Sequence, residues 1–419
     1  MPAGEDDGHL FLARGTQLLE LGRAREAEHQ FRQALVHSPT DPVLSMRLAQ
    51  ALLIQDRYDE AAAAAQRSLA AAPDNAFTLL MLSGAEAGRG RRAVALDAAR
   101  EAVRLAPFNP AAHRQVGALL INSGKERAAL PALLRARELN PSYVGAATSL
   151  ALAHLRLRQY DEARTHVTDA LRLDPQDPTA HLVFGLLESS AGSSRQAVRA
   201  HREALRLDPS NPVNRASLVQ ALKNRNPAYR WLARYARWRQ SLSAGARKAL
   251  LVMPLVLLFL LRPIAQTTFA GVVIVLLLVA SFLSWSLDPA MNLALCLGRD
   301  RALLEPRVRR SATLFGVYAT IGVVCAIWGV AAGRIQLGVT AIGFAIWAVT
   351  AGYAHQAATR VLRWVAGAHA VGAVLLAVVA WLAATGSTAF PQWLVLTSLL
   401  GALLCMAEVA RLRRPQHTR

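Results

Sequence analysis

Residues Pro42 to Asn75 read PVLSMRLAQALLIQDRYDEAAAAAQRSLAAAPDN. Apolar side chains at i, i+3, i+4 and i+7 fill two stretches of about a dozen residues each, the signature of two amphipathic helices. Polar Gln55-Asp56-Arg57 splits them, so the segment is a helix, a turn and a second helix. The pattern recurs. Ala27, Ala61, Ala95, Ala129, Ala163 and Ala197 lie 34 residues apart, and Pro39, Pro73, Pro107, Pro141, Pro175 and Pro209 keep the same step. A methyl group at the alanine position lets the second helix approach the first, where a larger side chain would wedge them apart. A second small residue follows seven later, at Ala34, Ser68, Ala102, Ala136, Ala170 and Ala204. The proline closes each unit because it cannot continue a helix and restricts the residue before it. A period this strict predicts a stack of helical hairpins, which offers an extended surface rather than a catalytic pocket.

The period and these small and proline positions resemble the tetratricopeptide repeat over residues 8–211. The eighth position of each unit is small, as in that family: Gly15, Ala49, Ser83, Gly117, Ala151 and Gly185. The fourth position departs from the family's tryptophan, with Phe11, Ser45, Leu79, His113, Ala147 and His181. A seventh first-helix from Pro212 to about Lys223 would cap the stack. The resemblance implies a concave groove lined by the first helices. Mapped onto this chain, that groove includes Leu12, Met46, Leu53, Phe77, Leu80, Arg114, Ile121, Leu152, Arg156, Leu182 and Leu186, together with His9, Leu19 and Thr148. It is mostly apolar and lacks the lysine–asparagine constellation with which some members grip a terminal carboxylate. Such a surface suits a protein or peptide partner, an amphipathic helix or an extended apolar segment. The alternative is that these residues pack against a neighbouring repeat or a tail of the same chain.

Composition changes sharply after the array. Of 28 acidic residues, only Asp288, Asp300, Glu305 and Glu408 lie beyond residue 249, and 53% of the whole chain is hydrophobic. The net charge of +19 divides into +10 before residue 250 and +9 after it. Scattered basic residues on solvated helices, and basic loops between apolar segments, account for that charge without nucleic acid. Cys296, Cys325 and Cys405 form no CxxC pair and no disulfide framework. The acidic start MPAGEDDGHL has no apolar core of a signal peptide, which places the repeats in the cytoplasm as an expectation.

Residues 212–248 form a junction. AYRWLARYARWRQSL reads as a helix with Trp231, Tyr235 and Trp238 on one side and Arg234 and Arg237 among the arginines around them. That arrangement suits a helix lying at a membrane surface, Trp231, Arg234, Tyr235, Arg237 and Trp238 being the candidate contacts. It also suits the second helix of a seventh repeat. Beyond it, six apolar stretches at about 249–265, 267–287, 311–332, 335–354, 364–384 and 392–410 approach the length a bilayer requires. The first is short and contains Pro254, so it is a span or a re-entrant segment. With the repeats inside, arginines gather in 288–310, 355–363 and the basic tail 411–419, as the positive-inside bias asks. The stretch Ser286 to Arg310, in which Asp288-Pro289 ends the second span and Met291 to Leu297 forms a short helix, is similar to bacterial membrane proteins that carry an N-terminal repeat array.

The expected fold is therefore all-α: a solenoid of about six helical hairpins with a capping helix, followed by a polytopic helical membrane domain. No catalytic, cofactor or metal site is expected. HExxH and GxSxG are missing, and Gly124-Lys125-Glu126, superficially like a phosphate loop, falls in a repeat turn. The expected role is a membrane-anchored adaptor at the inner membrane that binds protein partners on its cytoplasmic face. The alternative is a repeat-regulated transporter or channel component.

Overall fold

The computed structural model describes residues 3–227, 229–231, 234, 238, 243, 286–354 and 372. The chain divides into two compact units, Met1–Leu218 and Val219–Arg419. The first unit is a run of paired helices: α1 (Ala3–Glu20) with α2 (Ala24–His37), α3 (Pro42–Ile54) with α4 (Tyr58–Ala71), and α5 (Ala76–Gly88) with α6 (Arg92–Leu105). It continues with α7 (Pro110–Asn122) and α8 (Glu126–Leu139), α9 (Val144–Arg156) and α10 (Tyr160–Leu173), and α11 (Pro178–Ala191) and α12 (Ser194–Leu207). A final helix, α13, runs Pro212–Asn224.

Local chemistry sets each boundary. Asp41, Asn75, Asn109 and Asp177 precede α3, α5, α7 and α11, and their side-chain oxygens accept the first free backbone N–H groups. Asn211 does the same for Val213 at 2.9 Å. These are N-caps, with proline following at the first helical position of α3, α7 and α11. The turn inside each hairpin needs one left-handed residue. Gly22, Gly90, Gly124 and Gly192 supply it with φ of 72, 79, 72 and 92°. At the end of each pair the residue before the proline is extended, with φ between −143 and −131° at Ser38, Ala72, Ala106, Asn140, Asp174 and Asp208.

Packing follows from the small residues. The six alanines of the 34-residue ladder are at most 1% exposed, and Ala34, Ser68, Ala102, Ala136, Ala170 and Ala204 are fully buried. Ser68, the one polar member, donates to Pro42 O at 2.7 Å and lies 3.1 Å from Thr78 Oγ1, so its burial leaves no hydroxyl unsatisfied. First helices also pack on first helices, α3 on α5, α7 on α9 and α9 on α11, to an extent that second helices do not. That asymmetry puts the odd-numbered helices on the inside of the array.

In the second unit, residues 286–297 are helical (α14), and a 3-10 turn spans Arg299–Leu303. Two helices follow, α15 (Pro306–Ala331) and α16 (Ile335–Tyr353). Asp288-Pro289 thus lies within a helix rather than ending one, and Met291 to Leu297 continues it. Lys223 Nζ, only 6% exposed as a residue, is 2.7 Å from Asp288 Oδ1, and the Tyr229 hydroxyl donates to the same oxygen at 3.2 Å. Buried Ser311, Phe315, Tyr318, Gly322 and Cys325 form one face of α15, which packs on Phe344, Trp347 and Ala351 of α16. The opposite face carries Leu314, Val317, Ile321, Val324 and Trp328, 39–55% exposed.

Among the described residues α15 is the one helix long and apolar enough to cross a membrane. The described residues thus hold one candidate span rather than the expected polytopic set. Of the six expected spans, 311–332 falls on α15 and 335–354 on α16; 249–265, 392–410 and nearly all of 267–287 and 364–384 lie outside the described residues.

Candidate functional site

The inner face of the array is where an extended surface is available, and its residues fall into three groups. Met46, Leu80 and Ile121 are 7, 7 and 1% exposed, so they are consumed by packing between helices. Leu12, Leu53, Arg114, Leu152, Leu182 and Leu186 are half-buried, each with part of its side chain open. Phe77 is 39% exposed, and the Arg156 side chain 43%. The expected groove residues are thus not equivalent. Leu80 faces a cluster with Ala102 and Ala112, whereas Leu152 lies at the edge of two clusters and keeps an open side. Adjacent rungs touch: Leu53 sits 3.5 Å from where a Cβ on Gly84 would be.

Polar cross-links run along the seam between first helices. Gln115 Nε2 donates to Ser83 Oγ at 3.2 Å. Arg156 Nη1 donates to Ile121 O at 2.7 Å and lies 3.8 Å from Glu126. Thr148 donates to Val144 O at 2.9 Å and is 4% exposed, so it belongs to the helix rather than to an open surface. Arg114 Nε donates to the Tyr143 hydroxyl at 2.9 Å. Tyr143, Gln115 and Gly145 were not among the residues expected here. The available signal was positional: the residue before α3, α5, α7 and α11 is Asp or Asn, and before α9 it is Tyr143.

Two histidines at the fourth position of their units serve the turns. His113 Nε2 is 2.8 Å from Pro107 O, and His181 Nε2 is 2.9 Å from Pro175 O. Two fully buried carboxylates also recur at one repeat position, Glu86 beside Arg89 at 2.7 Å and Glu188 beside Arg164 at 2.5 Å. Both are paired charges buried inside the array. Among the described residues no group of three or more His, Cys, Asp or Glu side chains could hold a metal ion.

At the junction, Trp231 and Trp238 are 65 and 51% exposed, and Arg234 is exposed. Tyr235 and Arg237 lie outside the described residues.

The tetratricopeptide repeat profile matches residues 12–76, 117–178 and 148–212. The chain is 25% identical over 228 residues to BBSome complex member BBS4 of Bos taurus, covering 54% of this chain and 43% of that one. The chain thus spans less than half the length of that curated relative. Among solved structures, the anaphase-promoting complex Cut9–Hcn1 hetero-tetramer matches with 20% identity and a TM-score of 0.44, over 51% of this chain and 42% of that one. PilF of Pseudomonas aeruginosa matches with 19% identity and a TM-score of 0.41, over 51% of this chain and 98% of that one. The repeat assignment rests on the profile match and on the helical hairpins themselves. The likeness of Ser286 to Arg310 to bacterial membrane proteins stays an expectation from sequence.

Proposed function

We propose that this tetratricopeptide-repeat protein is a membrane-held adaptor that captures a protein partner on the inner face of its array. The observation that carries the adaptor reading is the row of half-open apolar side chains, Leu53, Phe77, Leu152, Leu182 and Leu186, on helices that face the inside of the stack. Apolar surface presented at repeat spacing along packed helices suits an apolar or amphipathic segment of another protein. The reading is one of binding, and tethering would raise the local concentration of whatever is captured.

Support for membrane attachment comes from α15. Its 26 residues extend about 39 Å, more than the roughly 30 Å of a bilayer core. A helix packed on one side only in a water-soluble protein carries polar residues on the other. Here the open side is Leu314, Val317, Ile321, Val324 and Trp328. The arginines of 288–310 and 411–419, under the positive-inside bias, support an array on the cytoplasmic side of an inner membrane. The α15–α16 contact is an apolar seam of Phe315, Cys325, Phe344 and Trp347, which does not favour the transport alternative.

The test is crosslinking and purification of the full chain from native membranes. A partner is expected to co-purify and to be lost in Phe77→Glu and Leu152→Glu, whose side chains are open enough to carry a charge without unfolding the stack. Leu80→Glu is unsuited, because a charge there would be buried. Folded variants that keep every partner would rule out the groove. Alkaline extraction of the same membranes should leave the protein in the pellet; release into the supernatant would rule out membrane attachment.

A further inference from the structure

Two rungs of the 34-residue ladder break, and they break against each other. Asp41, Asn75, Asn109, Asp177 and Asn211 accept backbone N–H groups at the start of α3, α5, α7, α11 and α13. The residue at that position before α9 is Tyr143, whose side chain caps nothing. The fifth position of the first helices is Leu12, Met46, Leu80, Thr148 and Leu182 in five units, and Arg114 in the remaining one. These two exceptions, 29 residues apart, are joined by the 2.9 Å hydrogen bond from Arg114 Nε to the Tyr143 hydroxyl. Departures from an otherwise consistent local pattern gather at functional positions.

The surroundings are built for the guanidinium. A Cβ on Gly145 would come within 3.1 Å of Arg114 Cδ and 3.3 Å of the Tyr143 ring, so the glycine leaves the arginine shaft room beside α9. Gln115 Oε1 accepts from Arg114 Nη2 at 3.4 Å. All these partners are neutral. Among the described residues no carboxylate lies within 4.0 Å of the Arg114 guanidinium. Arg156 on the same face is different, with Glu126 at 3.8 Å. Among the described residues Arg114 is therefore a half-buried, oriented cation without a carboxylate partner, on a face lined mostly by apolar side chains. A cation taken partly out of water needs a paired anion to recover its lost hydration. Tyr143 holds Nε and Gln115 takes one Nη2 hydrogen, which leaves Nη1 and the second Nη2 hydrogen for a two-pronged carboxylate contact.

We propose that Arg114 is the subsite for an Asp or Glu side chain of the captured partner, within a segment whose flanking residues are apolar. This rests on the groove reading above and gives it a chemical specificity. Arg114 touches the ligand, and Tyr143 is a positioning residue acting through it.

The test is panning of the full chain in detergent micelles against random peptides displayed on phage as internal segments, so that no free C-terminal carboxylate is present. The expected winners carry one Asp or Glu between apolar residues. Arg114→Met should lose that acidic preference, and Arg114→Glu should exchange it for Lys or Arg. Tyr143→Phe should weaken a selected acidic peptide by about tenfold while leaving its Gln counterpart unchanged, a split that a merely structural role would not produce. Unchanged helical circular dichroism and melting in Arg114→Met guard against misfolding. Apolar winners with no acidic position, or an acidic preference that survives Arg114→Met, would overturn the subsite and leave the groove standing. A library that enriches nothing on the unaltered protein would strike the groove reading itself, and the subsite with it.

Discussion

Leu133 fills the space that a side chain at residue 117 would need: a Cβ built on Gly117 would lie 2.4 Å from Leu133 Cγ. The same closeness joins Gly15 to Phe31 and Gly185 to His201, both at 2.5 Å. In the other units the eighth position is Ala49, Ser83 or Ala151, and the residue sixteen later is Ala65, Ala99 or Val167. Glycine thus faces phenylalanine, leucine or histidine, whereas alanine or serine faces the smaller alanine or valine. The two positions share one volume.

Gly117→Ala should therefore destabilise the array by about 1–3 kcal/mol through overpacking, although alanine is the better helix former. Leu133→Ala alone should cost about 2–5 kcal/mol by opening a cavity. Together they rebuild the Ala49–Ala65 arrangement, so the double variant should lose less than the sum. Urea melts followed by circular dichroism measure this coupling; strictly additive losses would refute the shared volume.

His201 adds a pH dependence. The residue is 1% exposed, and burial pushes the imidazole pKa down from 6.5 to about 4. Between those values the unfolded chain holds a proton that the folded chain does not, so folding stability falls as pH drops from about 6.5 towards 4. The loss is of order 3 kcal/mol at most. His201→Phe, which copies the Gly15–Phe31 pairing, should flatten this part of the stability–pH curve. An unchanged slope in that variant would show that the acid sensitivity comes from elsewhere.

Arg158 occupies the left-handed turn position that is glycine in four other units, with φ of 62°. A Cβ there costs about 1–2 kcal/mol, partly offset by the extra freedom glycine has when unfolded. Arg158→Gly should raise stability by up to about 1 kcal/mol, read as a higher melting midpoint. Asp56→Gly, with φ of 58° in the parent, should gain less, because aspartate tolerates this conformation and its carboxylate accepts the Tyr58 hydroxyl at 2.5 Å. A drop in midpoint for Arg158→Gly would contradict the strain.

Tyr143→Asn should separate stability from recognition. It restores the cap present before α3, α5, α7 and α11 and should stabilise α9 by about 1 kcal/mol. It also removes the hydroxyl that holds Arg114. The expected result is a higher melting midpoint together with weaker retention of acidic peptides. A variant that gains both would show that Tyr143 does not position Arg114.

Much of the array is legible in the chain because its determinants are local. A cap acts over three residues, the left-handed turn over one, the proline over two, and each repeats at an interval that can be read directly. The open surface is not local. Met46, Leu80 and Leu152 look alike as apolar residues of first helices, yet two are buried and one is half open, because neighbouring units decide what remains uncovered. The break at Tyr143 is visible in the sequence only as a missing Asx cap; nothing in the order of residues says that it faces Arg114.

By itself, the sequence determined the helical hairpins, their spacing and their ends, since these depend on backbone and side-chain preferences within a few residues. Only the tertiary structure decided which apolar rungs stay open, why glycine alternates with alanine or serine at the eighth position, and that Arg114 meets Tyr143 and, among the described residues, no carboxylate. Those are properties of volume and charge shared between residues tens of positions apart, and they exist only once the units are stacked.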